Sequence, residues 1–211
     1  MQSRHRPHIA IGVAAVLLLV AVSTLDGLTR TGYSLTRHWV SHLALSERGW
    51  LGTATLLAAG MLYALFGLGL GRTSRSGSAL VTLAGAALII AGAFRIDPGL
   101  DYPPGETASH TMSGSVHDAA AGVLFLSLTI AAVVLGRAAG RIRTGIIVAV
   151  TILGTFAACS VLVALDYSGA WPSAPSGLLE RIAILIAMSW PVAAGALASR
   201  ADTGPGYGSG Q

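Results

Sequence analysis

Charge is what this sequence has least of. Asp, Glu, Lys and Arg make up 10% of its 211 residues, where a soluble globular domain carries about 25%. Lysine is missing altogether, so all 13 basic residues are arginine; the bias reads as the codon usage of a GC-rich genome rather than as chemistry. The single cysteine, Cys159, sits inside an apolar run, which excludes an intrachain disulfide and any cysteine-built metal centre. Aromatics are sparse, at 6%. What remains is 53% hydrophobic with 27 glycines and a mean hydropathy of +0.69, the composition of a polytopic helical membrane protein. A pI near 9.8 would point a soluble protein toward nucleic acid. Here the arginines are dispersed at the ends of apolar segments, so the expected partner is the lipid bilayer and not nucleic acid.

A membrane-crossing helix needs about 20 apolar residues. Six stretches qualify, at 8–28, 50–71, 79–94, 116–136, 144–165 and 182–199. The prediction is an all-α integral membrane protein with six transmembrane helices in three hairpins. A single domain fills 1–200, and the Gly-rich polar tail, 201–211, is expected to be disordered. The first apolar run, 9–25, is longer than the hydrophobic region of a signal peptide. Despite Arg4, Arg6 and the small residues Ala21-Val22-Ser23, it is therefore read as a retained helix.

Eight arginines (Arg4, Arg6, Arg72, Arg75, Arg137, Arg141, Arg143, Arg200) fall on one side and five (Arg30, Arg37, Arg48, Arg95, Arg181) on the other. That bias places both termini in the cytoplasm and the protein in the cytoplasmic membrane as a multi-pass protein. The acids are more lopsided. Asp26, Glu47, Asp97, Asp101, Glu106, Asp118, Asp166 and Glu180 all lie outside, with His38, His42, His110 and His117. The outer loops are also the long ones, where function concentrates. The polar stretch 94–118 is expected to form the floor of an outward-facing site.

Glu47, Asp118 and Glu180 open returning helices, where a negative charge suits the helix dipole and caps are expected. Asp26, Asp97 and Asp166 close outgoing helices, where the dipole opposes them, so each calls for a partner. Arg48, Arg95 and Arg181 are the candidates. The recurrence of Asp26, Asp97 and Asp166, with the dipeptides Glu47-Arg48 and Glu180-Arg181, hints at three related hairpins.

The segment 34–45, SLTRHWVSHLAL, places Leu35, Trp39, Val40 and Leu43 on one arc and Arg37, His38, Ser41 and His42 on the other. This predicts a short amphipathic helix lying on the outer interface, apolar side down. Trp39, Tyr33, Trp50, Tyr102, Tyr167 and Trp171 are expected to form the outer aromatic belt. His38 and His42 have the four-residue spacing of a two-histidine metal face, but the glutamate of a zinc-protease motif is missing between them. Ser41, His117 and Asp97 supply the ingredients of acyl transfer without a G-x-S-x-G turn. Haem is disfavoured because the spans carry no facing histidines. No cofactor or metal follows from the sequence.

With these residues in view, the chain resembles the bacterial six-helix membrane family known as domain of unknown function 998. The resemblance rests on Ser41-His42-Leu43 with Gly49-Trp50, on Phe94-Arg95-Ile96-Asp97-Pro98, on His117, and on Gly177-Leu178-Leu179-Glu180-Arg181. It implies a fold and a membrane address, and no reaction. A more distant likeness, to membrane hydrolases of the alkaline ceramidase and adiponectin-receptor type, breaks down on helix number and on the position of the only H-x-x-x-H. The expected function is binding of a small polar or lipid-headgroup ligand at an outer site built from Asp97, His117, Glu180 and Arg181, with Ser41, His42 and Arg95 nearby. The alternative is a metal- or serine-dependent lipid hydrolase or transferase.

Overall fold

The computed structural model describes residues 7–201. The tail from 202 onward, expected to be disordered, lies outside the described residues. Six α-helices follow in order: α1 Pro7–Leu28, α2 Gly49–Gly69, α3 Arg75–Ala93, α4 Met112–Ala138, α5 Ile142–Tyr167 and α6 Ser176–Ala201. Each is long and apolar enough to cross a bilayer, which makes this a multi-pass membrane protein. The spans sit where the hydrophobic runs predict them. The polar residues before α4 and α6 nevertheless join those helices, so α4 starts four residues early and α6 six.

Five helices close a circle of neighbours, α1–α2–α3–α4–α6 and back to α1, while α5 leans on α4 and α6 from outside. Tyr63 and Phe66 of α2 fill the middle, fully buried among Leu19, Leu88, Leu128 and Met188. The tightest pair is α2 with α3, and small residues allow it: a side chain at Gly67 would stand 2.5 Å from the Thr82 backbone nitrogen. Without a hydrophobic force between helices in lipid, such close backbone approach is what holds them together.

The end of the bundle opposite the termini carries nearly all the polar structure. There the first loop, between α1 and α2, overturns the expectation of a surface helix. Its only helical turn is a five-residue 3-10 helix, Val40–Ala44, and all five residues are buried. His38 and His42 are 3% and 1% exposed. The polar arc meets protein instead of water, because the loop is drawn into the mouth of the bundle. It presses so closely on α2 that a side chain at Gly52 would lie 2.5 Å from the Leu43 carbonyl.

Three arginines pin it there. Arg30 binds Asp26 through Nε and Nη2 and donates to the carbonyls of Leu43, Leu45 and Arg48 and to Ser46 Oγ. Arg37 forms a two-pronged ion pair with Asp166, at 2.8 and 2.7 Å, and reaches Asp101. Arg181 donates to the carbonyls of Leu35, His38 and Gly177 and to the Tyr33 hydroxyl.

The dipole argument therefore holds for Asp26 and Asp166, each matched to an arginine, but the arginines are mostly other ones than expected. Among the described residues, Arg48 alone of the three candidates forms an ion pair with one of these acids, 3.4 Å from Asp26. Asp97 has no arginine partner among the described residues. It accepts from the Thr111 backbone N–H and hydroxyl, both at 2.7 Å, and so fastens the N-cap of α4. Nor are the returning acids caps: Thr111 caps α4, while Asp118 and Glu180 lie one turn or more inside their helices. Of the expected aromatic belt, Trp50, Tyr167 and Trp171 are exposed, whereas Tyr102 is buried at 1% and packs against Tyr33, His38 and His42.

Candidate functional site

A cleft of about 170 Å³ opens between α4, α5 and α6 near the polar end. From α4 come His117, Asp118, Ala121 and Phe125; from α5, Phe156, Cys159 and Ser160; from α6, Glu180 and Ala183. The first loop roofs it with Trp39 and Ser41, and Ile96 closes the remaining side. A narrower recess of about 40 Å³ runs on from Ser41, His117 and Glu180 toward Leu56, Leu88 and Leu124 in the bundle centre. The walls are mostly carbon, with the polar groups gathered at one end.

Each polar group has an identifiable anchor. His117 is 4% exposed, and its Nδ1 lies 2.8 Å from the Ala91 carbonyl and 3.0 Å from that of Phe94. Both are last-turn carbonyls of α3, left without helical partners. Two acceptors on Nδ1 require the proton there, so Nε2 is the acceptor in the neutral ring. That atom has no hydrogen-bond partner among the described residues and is not sealed from the cleft. Ser41, 8% exposed, likewise presents a hydroxyl with no partner among the described residues. Glu180 accepts the Val40 backbone N–H through Oε2 at 2.7 Å; among the described residues no basic side chain forms an ion pair with it. Asp118 is exposed at the rim, beside Ser160.

The helix lengths set the depth. At 27 residues, α4 is about 40 Å long, longer than the ~30 Å hydrocarbon layer. With α4 centred on that layer each end overhangs it by about 5 Å, and His117 and Asp118, which follow the start of α4 by about 8–9 Å, come a few ångström inside the headgroup boundary.

Of the expected site residues, the cleft gathers Ser41, His117 and Glu180. It leaves out the other four. Asp97 is turned to Thr111, and those hydrogen bonds, the backbone one first, hold its carboxyl below the usual range. Arg95 is exposed away from the cleft, and only its backbone carbonyl is engaged, by Ser113. Arg181 faces a separate groove between α1 and α6, beside Ser23 and Ile184.

His42 stacks on Trp39, with centroids 5.4 Å apart and rings 12° from parallel. It supports the roof without reaching the cavity, and burial pushes its pKa down to about 3. His38 spends both nitrogens, on the Ser34 N–H and the Leu100 carbonyl. That carbonyl is presented by a left-handed turn at Leu100 and Asp101, φ 55° and 61°. The 94–118 stretch thus contributes Ile96, His117 and Asp118 rather than a whole floor.

Sequence reasoning missed Trp39, Phe125, Phe156, Cys159 and Ser160 as lining. Only the adjacent pair Cys159-Ser160, polar in an otherwise apolar run, carried a signal. Among the described residues no group of three or more His, Cys, Asp or Glu side chains is placed to hold a metal ion.

No curated protein and no solved structure matches the chain. A family model does match, over residues 13–197, and that span contains every residue of the cleft. The chain belongs to the family described as protein of unknown function DUF998.

Proposed function

We propose that the cleft binds the head of a single amphiphile, with its tail lying along α4 and α5. The observation that carries this is the pairing of two nine-tenths-buried polar side chains, Ser41 and His117, whose free atoms line an otherwise apolar cavity just inside the headgroup boundary. Both atoms are reachable from the cleft rather than sealed in the protein, so a ligand with matching groups can pair with them. The rim supports lateral entry, since Asp118, Phe156 and Ser160 all lie on the outer surface of the bundle. The arginine bias supports an orientation with this end on the outer face of the cytoplasmic membrane.

The test is photo-crosslinking with a diazirine-tagged monoacyl amphiphile in neutral detergent, followed by peptide mapping. Labels are expected to concentrate on 117–125 and 180–183, and to disappear in Ala121→Trp, which fills the cavity. Labels spread evenly over all six helices refute the reading.

A second reading rests on the tautomer of His117. With Nδ1 fixed by carbonyls, Nε2 is the ring atom left to take a proton from Ser41 Oγ once a substrate brings the two together; Oγ then attacks an ester carbonyl, the ester C–O bond breaks, and the same proton passes from Nε2 to the departing alcohol. The Ala91 and Phe94 carbonyls then do the orienting that the sequence assigned to Asp97. Fluorophosphonate labelling of wild-type protein, lost in Ser41→Ala and in His117→Ala, is the expected result of this version. An unlabelled wild type removes it.

A further inference from the structure

Two carboxyl groups line the cleft, Glu180 and Asp118, and no arginine does. This is not for want of arginines at that end of the bundle. Arg30 is held by Asp26 and backbone carbonyls, Arg37 by Asp166 and Asp101, and Arg181 by carbonyls and Tyr33. Arg48 reaches Thr29 and Asp26, and Arg95 projects outward. Every one of the five is directed elsewhere, and the two acids of the cleft keep no basic partner within 4.0 Å among the described residues.

Hydrogen-bonding character points the same way. With its proton on Nδ1, His117 offers a lone pair at Nε2. Glu180 has Oε1 left over after Oε2 accepts from Val40. The Ser41 hydroxyl accepts as readily as it donates. Ser160 turns its proton back to the Phe156 carbonyl and Cys159 to that of Ser176, so both present lone pairs to the cavity. The one nitrogen donor is the Trp39 indole, which is buried. An acceptor-rich cavity lined by two carboxyl groups complements a group that is all donor, and an ammonium carries three N–H donors and no acceptor. A phosphate or carboxylate head finds an open donor only in the Ser41 hydroxyl, since the Trp39 indole N–H is sealed from the cleft.

Size bounds the group further. An apolar cavity of about 150 Å³ holds a benzene, so the ≈170 Å³ here admits a head of about six heavy atoms. Resting on the amphiphile reading above, we infer that the ligand is a cationic amphiphile with a small primary ammonium head, its nitrogen placed among Glu180, His117 Nε2 and Ser41 and its chain leaving past Phe125 and Phe156.

The experiment is calorimetric titration of the full-length protein in a neutral maltoside detergent at pH 7.5, with dodecylammonium, dodecyl phosphate and monolauroylglycerol as probes. Dodecylammonium is expected to bind at least tenfold more tightly than either other head. Glu180→Gln is expected to weaken it about tenfold to a hundredfold, the worth of a hydrogen bond to a charged group, and to weaken monolauroylglycerol by a smaller factor, so that the ratio between the two heads falls. Asp118→Asn, at the exposed rim, is expected to cost less and serves as the charge test if Glu180→Gln fails to fold. Equal or tighter binding of dodecyl phosphate, or an ammonium preference that survives both substitutions, overturns the ammonium assignment and leaves the amphiphile cleft standing. If none of the three probes binds the wild type, the amphiphile reading falls and takes this one with it.

Discussion

His42 is a histidine locked in its neutral form, and that makes the stability of this protein depend on pH in a direction that can be worked out. Its ring is 1% exposed. It lies between Trp39, at 5.4 Å, and Tyr102, at 6.2 Å, and its Nδ1 faces the Trp39 backbone N–H at 3.3 Å. Burial first, then repulsion from His38, His117 and Arg181, lowers its pKa from 6.5 to about 3. An unfolded chain takes up a proton at this residue as the pH falls through about 6.5, and the native chain does so only near 3. Between those values the unfolded state holds more protons, so stability rises with pH. The contribution is complete above about 6.5 and is lost progressively as the pH falls toward 3. At pH 4.5 the unfolded imidazole is two pH units below its pKa, which at about 1.4 kcal/mol per unit is a loss of about 3 kcal/mol.

The assay is equilibrium unfolding of the detergent-solubilised protein at pH 7.5 and 4.5, for wild type and His42→Asn. Asparagine keeps an acceptor for the Trp39 N–H and cannot titrate. Acid-sensitive groups far from residue 42 act in both proteins and cancel in the difference. The wild type is expected to lose about 3 kcal/mol more than the variant across this interval. Equal losses would refute the claim that His42 is held neutral by its surroundings.

Three further outcomes follow from the packing. Asp97→Ala removes two hydrogen bonds at the N-cap of α4 and should cost about 1–2 kcal/mol. Because the Asp97 carboxyl is held below 3.8 by Thr111, this contribution is full above that pH and fades below it, as paired melts at pH 7 and 3 will show. Arg37→Ala strands Asp166, whose side chain is 3% exposed, and should cost about 3 kcal/mol. Hydrogen exchange should rise across 34–46, with little rescue by Arg37→Lys, since lysine lacks the planar fork. Gly67→Ala forces α2 and α3 apart, because its Cβ would lie 2.5 Å from Thr82 N. It should lower stability by about 1–3 kcal/mol, whereas Gly154→Ala on open α5, with nothing within 4 Å, should be neutral or stabilising by up to about 1 kcal/mol.

What the sequence discloses here follows from the physics of each signal. Hydrophobic runs longer than a bilayer is thick have one reading, and all six helices were legible. The segment 34–45 was not, because a polar stripe at helical spacing looks the same whether it meets water or buried partners. Its arc of Arg37, His38, Ser41 and His42 meets Asp166, Leu100, the cleft and Trp39. Three of the seven expected site residues converge on the cleft because they come from three different segments of the polar end. Asp97 was misassigned because nearness to His117 in a polar stretch says nothing of direction, and Thr111 claims it locally. The Arg37–Asp166 pair joins residues 129 positions apart, a distance at which no local pattern operates. Phe125 and Phe156, which shape the cavity wall, look like any other apolar residue in a span.

The first loop also has a consequence for how this protein is made. Its partners are synthesised late: Asp166 follows Arg37 by 129 residues, Ser176 donates to a carbonyl 139 residues earlier, and Arg181 reaches Leu35 and His38 across 146 and 143. A nascent chain with five helices already inserted has the Arg30 contacts and the Arg37–Asp166 pair but still lacks those of Ser176 and Arg181. Translation must reach the sixth helix before the mouth of the bundle can close. A chain cut short before Ser176 would leave the carbonyls of Leu35, Thr36, Arg37 and His38 without the donors that α6 brings to them.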